Sequence, residues 1–215
     1  MNRACLLAAI ALALVATPAR ARAAADGDGA YGRLKGDLTF VGGLGAGVVA
    51  ATGRPVLASD LRLRYLDAAG VALGFEEGDA LARTSRSGEL RRAFLAGVEL
   101  RPLFPVRFLK AQETGRRFLD LVLDSIALDL GTWWPIRYGS GARRPGMYTG
   151  LAVEAPLSGG GSGLWLRLSA QLRWAAPRLE GDLDPSGRSV MLGVGLAWHQ
   201  VFGPHLVQRG DEPLE

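Results

Sequence analysis

The chain is poor in the side chains that usually do chemistry. Its 215 residues include one cysteine, Cys5, and two histidines, His199 and His205. Cys5 falls in a segment read below as a cleaved signal, so no thiol remains for a disulfide, a metal site or a nucleophile. With two histidines and no clustered carboxylate spacing, neither a metal site nor a cofactor is expected. The run Gly42-Gly43-Leu44-Gly45-Ala46-Gly47 contains G-x-G but lacks the Lys-Ser/Thr and the helix that follow in a phosphate loop. It reads as a strand with close backbone packing or bending. Ser158-Gly159-Gly160-Gly161-Ser162-Gly163 reads as a flexible turn.

An excess of charge of one sign is also missing once the start of the chain is set aside. Met1-Asn2-Arg3, an apolar run from Ala4 to Ala16 and an alanine-rich tail have the layout of a secretory signal. Ala23-Ala24-Ala25 before Asp26 is the preferred cleavage site and Ala21-Arg22-Ala23 the second choice, which gives a signal over 1–25. The apolar run is shorter than the roughly 20 residues of a spanning helix. Cys5 lies too early for a lipoprotein motif. Residues 1–25 hold Arg3, Arg20, Arg22 and no acid, so the remainder carries 22 bases against 21 acids and the net charge falls from +4 to +1. The pairs Arg91-Arg92, Arg116-Arg117 and Arg143-Arg144 are scattered without interleaved aromatics. Nucleic acid is therefore not an expected partner.

What the remainder has is alternation at period two, not long hydrophobic runs. In Leu164–Trp174 every even position is apolar, while Arg167, Ser169, Gln171 and Arg173 share the other face. Val190, Leu192, Val194, Leu196, Trp198 and Phe202 oppose Ser189, Gly193, Gly195, Ala197 and His199. Leu57, Leu61, Leu63 and Tyr65 oppose Asp60, Arg62 and Arg64. Fainter alternation marks five more strands around 38–48, 71–75, 94–101, 126–134 and 148–155. Eight antiparallel strands can close into a barrel without an exposed edge, which a membrane demands.

The connections form a second pattern. The links at Asp67–Gly70 and Ser158–Gly163 are short, whereas those at about 76–91, 135–146 and 176–188 are long and polar. The 51–55 link is a short exception on the long-loop side. Outer-membrane barrels alternate short periplasmic turns with longer outer loops in this manner. The misfit is 102–124, an inner link that should be tight. Pro102 and Pro105 break the strand there, and one short helix is expected over Gln112–Asp124, with Phe118, Leu119 and Val122 on its apolar side. The alternative is a single long strand from Phe118 to Leu130.

Alternation alone does not say which face points inward. Three features favour an inward polar face. Glycines accompany the charges, as a narrow interior requires. The charges nearly balance, with Arg62, Arg64, Arg101, Arg167 and Arg173 against Asp60, Glu99, Asp129 and Glu154. Aromatics mark the ends of apolar faces, chiefly Trp134, Trp174, Trp198 and Phe202, with Phe94 and Phe104 as further girdle candidates. In this pattern, over about residues 35–202, the chain resembles the small eight-stranded outer-membrane β-barrel proteins of Gram-negative bacteria. The resemblance implies an all-β, antiparallel, up-and-down transmembrane barrel in the cell outer membrane, with membrane lipid and the barrel-assembly machinery as partners. Val194–Phe202 is similar to the C-terminal strand signal of that group, although 13 residues follow Phe202. The expected organisation is a signal at 1–25, a barrel at 26–202 and a tail at 203–215.

Four functions follow from this reading. The first is a structural or surface-interaction role through the long loops, to a partner the sequence does not identify, around an interior filled by Arg/Asp/Glu pairs. The second is a lipid-acting barrel enzyme with His199 as base, but the His-x-Ser pairing expected of such hydrolases is absent, since Gln200 and Val201 follow. Ser169, Ser189 and Glu154 are its possible companions. The third is a lipocalin-like periplasmic lipid binder, with the apolar faces turned inward. The fourth is a narrow polar pore lined by the same charges. The charge balance and the narrow bore of eight strands favour a filled interior, hence the first.

Overall fold

The computed structural model describes residues 31–34, 36–50, 53–78, 92–136, 145–158, 160–175 and 188–203. The expected signal at 1–25, nearly all of the expected tail at 203–215 and most of the three long loops lie outside the described residues. Eight strands follow one another in chain order: β1 (Leu38–Val49), β2 (Arg54–Tyr65), β3 (Ala69–Glu77), β4 (Arg92–Leu100), β5 (Ala127–Ile136), β6 (Gly146–Pro156), β7 (Gly163–Ala175) and β8 (Arg188–Phe202). Each pairs antiparallel with the next, and β1 closes on β8 with Leu38 opposite Phe202. The result is a closed up-and-down barrel in which every wall strand has two neighbours and no edge is left open.

The period-two pattern sets the two faces of the wall. Leu61, Leu63, Val71, Leu73, Leu130, Leu151, Leu168, Leu192, Val194 and Leu196 point outward and are exposed, as is Leu44 at 58%. Arg62, Arg64, Glu99, Arg101, Asp129, Glu154, Arg167 and Arg173 are buried inside. The interior is thus ionic and the exterior apolar, the reverse of the lipocalin arrangement.

Where β2 turns into β3, the link Leu66–Ala68 starts one residue and ends two residues earlier than the Asp67–Gly70 link expected from composition. The Ala68 N–H donates to the Tyr65 carbonyl at 3.0 Å, with Leu66 and Asp67 between them at φ 49° and 51°. Two consecutive positive φ values make the turn whose twist matches the flanking strands.

The connection between β4 and β5 holds two helices where one was expected: α1 (Leu103–Leu109) and α2 (Arg117–Asp124). Pro102 and Pro105 do end the strand, but they do not prevent a helix. Pro102 is the residue capping α1, and Pro105 stands in its first turn, where backbone N–H groups have no intrahelical acceptor to lose. The second helix begins at Arg117, five residues beyond the expected start at Gln112, and the long-strand alternative does not form. Both helices lie at the rim where β1 and β5 begin and β4 and β8 end, called the helix rim below. The other end, where the long loops attach, is the loop rim.

Inside the wall, glycines make room for large side chains. Gly97 and Gly131 face each other across β4 and β5. A Cβ on Gly97 would stand 2.6 Å from the Tyr148 hydroxyl and closer still to the Leu130 carbonyl, and one on Gly131 would stand 2.7 Å from the Tyr148 ring. Tyr148 packs there with Ala93, Leu95 and Trp133 as the apolar part of the interior. Gly97→Val is expected to lower stability by about 1–3 kcal/mol through overpacking. The check is the urea midpoint of the folded band on a detergent gel, and an unchanged midpoint would contradict this packing.

Candidate functional site: the ionic interior and its helical cap

The charge set forms one connected layer near the helix rim. Glu154 on β6 is 0% exposed and receives Arg62 Nη1 at 3.1 Å, Arg64 Nη2 at 3.2 Å and Arg167 Nη1 at 2.9 Å, together with Arg101. Glu99 on β4 receives Arg64 Nε at 2.6 Å, Arg101 Nε at 3.2 Å and Arg167 Nη1 at 3.2 Å, with Arg62 Nε 3.3 Å away. Two glutamates therefore share the same four arginines. The pairs are charge-assisted hydrogen bonds as well as ion pairs, which is what keeps buried charge tolerable.

Register explains the convergence. Glu154 lies directly opposite Arg167 across β6 and β7. Glu99 lies opposite Asp129 across β4 and β5, a like-charge pairing that destabilises a sheet on its own. Arg167 removes the conflict by bridging both, with Nη2 2.8 Å from Asp129 Oδ2 and Nη1 at Glu99. Asp60 pairs with Arg62 at 2.5 Å. Farther toward the loop rim, Arg173 reaches across the bore to Glu76, with Nη1 at 2.7 Å and Nη2 at 2.5 Å, and both Nε and Nη2 donate to Gln171.

Between these clusters lies a cavity of about 90 Å³, lined by Asp60, Asp129, Glu76, Ser169 and Gln171 together with apolar side chains such as Leu95 and Met191. Its carboxylates, Ser169 and Gln171 offer ordered water the polar partners it needs. A drug-sized or lipid ligand needs a cavity of about 300 Å³ or more. This space is too small for one.

His199 on β8 is buried beside the same layer. Its ring stacks on Trp165 with centroids 4.6 Å apart, and Nε2 is 3.2 Å from Glu154 Oε2. The serines considered with it stand elsewhere. Ser169 pairs with Gly193 and Ser189 with Arg173, whereas His199 pairs with Gly163. Six strand positions separate Ser169 from His199, about 20 Å at ordinary strand rise. Neither serine can act as a nucleophile toward this base.

The aromatics occupy both rims. Trp134 and Phe94 contact each other at 5.9 Å on the outer wall near the loop rim, where Trp174 also sits. Trp198 and Phe202 lie toward the helix rim. Phe104 departs from the girdle expected of it. It is buried within α1, and the Arg33 guanidinium lies over its ring at 5.1 Å.

Arg33 belongs to a cap that period-two reasoning did not reveal. It is 2% exposed; its Nη2 donates to the Leu121 carbonyl at 2.6 Å, its Nη1 is 3.3 Å from Asp124 and its Nε is 3.6 Å from Asp67. Asp67 in turn takes Arg101 Nη1 at 3.1 Å, which ties the cap to the interior layer. Asp120 of α2 accepts from Arg107 at 2.5 Å, from the Thr114 N–H at 2.9 Å and hydroxyl at 3.0 Å, and from the Tyr31 hydroxyl at 2.9 Å. Asp124 accepts from Arg107 Nη1 at 2.5 Å. Arg33, Asp67, Asp120 and Asp124 stand in turns and helix, where no alternation points to them. Trp165 and Glu76 were within reach of the alternation: Trp165 lies between Leu164 and Leu166, and Glu76 falls on the face opposite Val71, Leu73 and Phe75.

These environments shift the cap's titrations. Burial pushes the Asp120 carboxyl up, but the Thr114 N–H, Arg107 and Tyr31 outweigh it and hold the group at about 2. Tyr31 is pushed up to about 12 by burial and then by its bond to Asp120. Burial raises Asp124 and lowers Arg33.

No protein-family model and no curated protein sequence matches the chain. Among solved structures it is similar to the N-terminal β-barrel domain of Pseudomonas aeruginosa OprF, with 8% identity over 77% of this chain and 98% of that one and a TM-score of 0.45. It is also similar to Neisserial surface protein A, NspA, with 11% identity over 75% of this chain and 94% of that one and a TM-score of 0.39.

Two outcomes follow from the site. Glu154→Gln leaves four arginines around one fewer carboxylate and is expected to cost about 3–5 kcal/mol, the usual effect of stripping one partner from a buried ion pair. Urea titration of the folded band reads it, and a loss under 1 kcal/mol would mean the layer is solvated. At the cap, Asp120 has a folded pKa below its unfolded value of about 3.9. Its contribution is therefore complete above about pH 4 and is lost as pH falls toward 2. The Thr114 amide resonance should titrate with a midpoint near 2. That titration should vanish in Asp120→Asn, and a midpoint near 4 would contradict the hydrogen-bonded carboxylate.

Proposed function

We propose that the chain is an outer-membrane β-barrel with a structural or surface-interaction role, presented through the loops at the rim opposite the helices. The observation that carries this reading is the inversion of the wall. Exposed leucines and valines ring the outside, and a neutralised ionic layer fills the inside. Water does not support a continuous apolar exterior on a monomeric soluble protein. A bilayer does, provided backbone groups are paired within a closed sheet, as they are here. The signal-like start and the strand signal at Val194–Phe202 are consistent with export and delivery by the barrel-assembly machinery. The small cavity, and the placement of Ser169 and Ser189 away from the buried His199, favour neither a lipid-acting enzyme nor a binder of large ligands.

The test is expression with the first 25 residues intact, followed by fractionation and a detergent gel with and without boiling. A urea-resistant outer-membrane band whose mobility shifts on boiling is expected. A soluble periplasmic band that never shifts would overturn the reading.

A further inference from the structure

The two helices at the rim repeat the inversion of the wall. In α2 the buried side is Asp120, Leu121 and Asp124, while Phe118, at 60% exposed, and Leu119 point outward with Val122 half-buried between them. In α1 the exposed side is Leu103, Val106 and Leu109, and Leu109 is 83% exposed. Acids inside and apolar side chains outside is the wrong order for a helix facing water. It is the order of the barrel wall, and the two surfaces adjoin. The outward apolar row reaches the helix rim at Leu100 and Leu128, and the exposed Leu103 and Leu157 follow directly beyond it.

The charge around this apolar surface is mainly basic, with three bases against one half-buried acid, Glu113, in the link between the helices. Lys110, Arg116 and Arg117 are all exposed, and among the described residues no carboxylate lies within ion-pair distance of them, whereas the acids of α2 are consumed inside by Arg107 and Arg33. An apolar surface bordered by bases is the composition of a segment lying in the interface of a bilayer with anionic headgroups.

From this we infer that α1 and α2 form an interfacial anchor. Leu103, Val106, Leu109, Phe118 and Leu119 enter the acyl boundary of the leaflet on the helix side, and Lys110, Arg116 and Arg117 contact anionic phospholipid headgroups. The inference rests on the membrane-barrel reading and deepens it. The helices cap the bore with their acids and hold the rim at a set depth with their apolar sides.

The test uses nitroxides at single cysteines in a Cys5→Ser background, with the full chain purified from membranes and placed in phosphatidylethanolamine–phosphatidylglycerol bilayers. Leu109→Cys and Phe118→Cys report the helices, Leu168→Cys the wall and Gln112→Cys the exposed link. Collisions with oxygen, which partitions into lipid, are compared with those with a water-soluble nickel chelate. Oxygen-dominated relaxation at 109, 118 and 168, with nickel-dominated relaxation at 112, is expected. Replacing Arg116 and Arg117 by Gln should raise nickel access at 118, and so should replacing phosphatidylglycerol with phosphatidylcholine. If 168 reads lipid while 109 and 118 read water, the anchor is wrong and the barrel reading stands. Shielding of 109 and 118 from both reagents means that protein covers the helices, which also overturns the anchor. If 168 reads water, the membrane barrel itself falls.

Discussion

Two carboxylates, Glu99 and Glu154, sit within a few ångströms of four guanidinium groups and are almost wholly removed from water. Charge so placed is tolerated only when each group is paired and hydrogen-bonded by its neighbours. That requirement reaches outward through the rest of the molecule. It demands that the strands carrying Arg62, Arg64, Glu99, Arg101, Glu154 and Arg167 close into a ring, since an open sheet would leave the layer half-solvated. It also demands a close register. Shifting β4 against β5 by one residue would turn Glu99 toward the apolar exterior and leave Arg167 without one of its acceptors.

The helical cap answers to the same layer. Asp67, in the tight β2–β3 turn, binds Arg101 on one side and approaches Arg33 on the other, so the turn links the interior charges to α1 and α2. Arg33 then spans Asp67, Asp124, the Leu121 carbonyl and the Phe104 ring. The acids of α2 face inward because bases wait for them there. Its phenylalanine and leucine are left to face outward for the same reason. The exposed apolar side of the helices is a consequence of how the bore is closed.

Much of the wall was legible from residue order. The alternation in Leu164–Trp174 and Val190–Phe202 places side chains on two faces by the geometry of a strand, whatever the strands pair with. The nine charged residues at the polar positions therefore stand on one face of the wall. Legibility ended where the period ended. In the 102–124 connection two prolines read as strand breakers, and they also sit where a helix accepts them, so α1 passed unnoticed. Phe104 looked like a girdle aromatic because it follows a strand, yet one helical turn redirects it beneath Arg33.

What the sequence by itself determined is the two-faced character of each strand, because successive side chains point to opposite sides of an extended chain. The near-neutrality of the polar face was also a matter of counting. Only the tertiary structure decided which acid meets which base. Glu76 and Arg173 lie on strands that are not neighbours and meet across the bore, and Arg33 finds Asp124 some ninety residues away through a helix and a turn. Such pairings depend on ring closure and on the path of the connections. Neither leaves a local periodic trace.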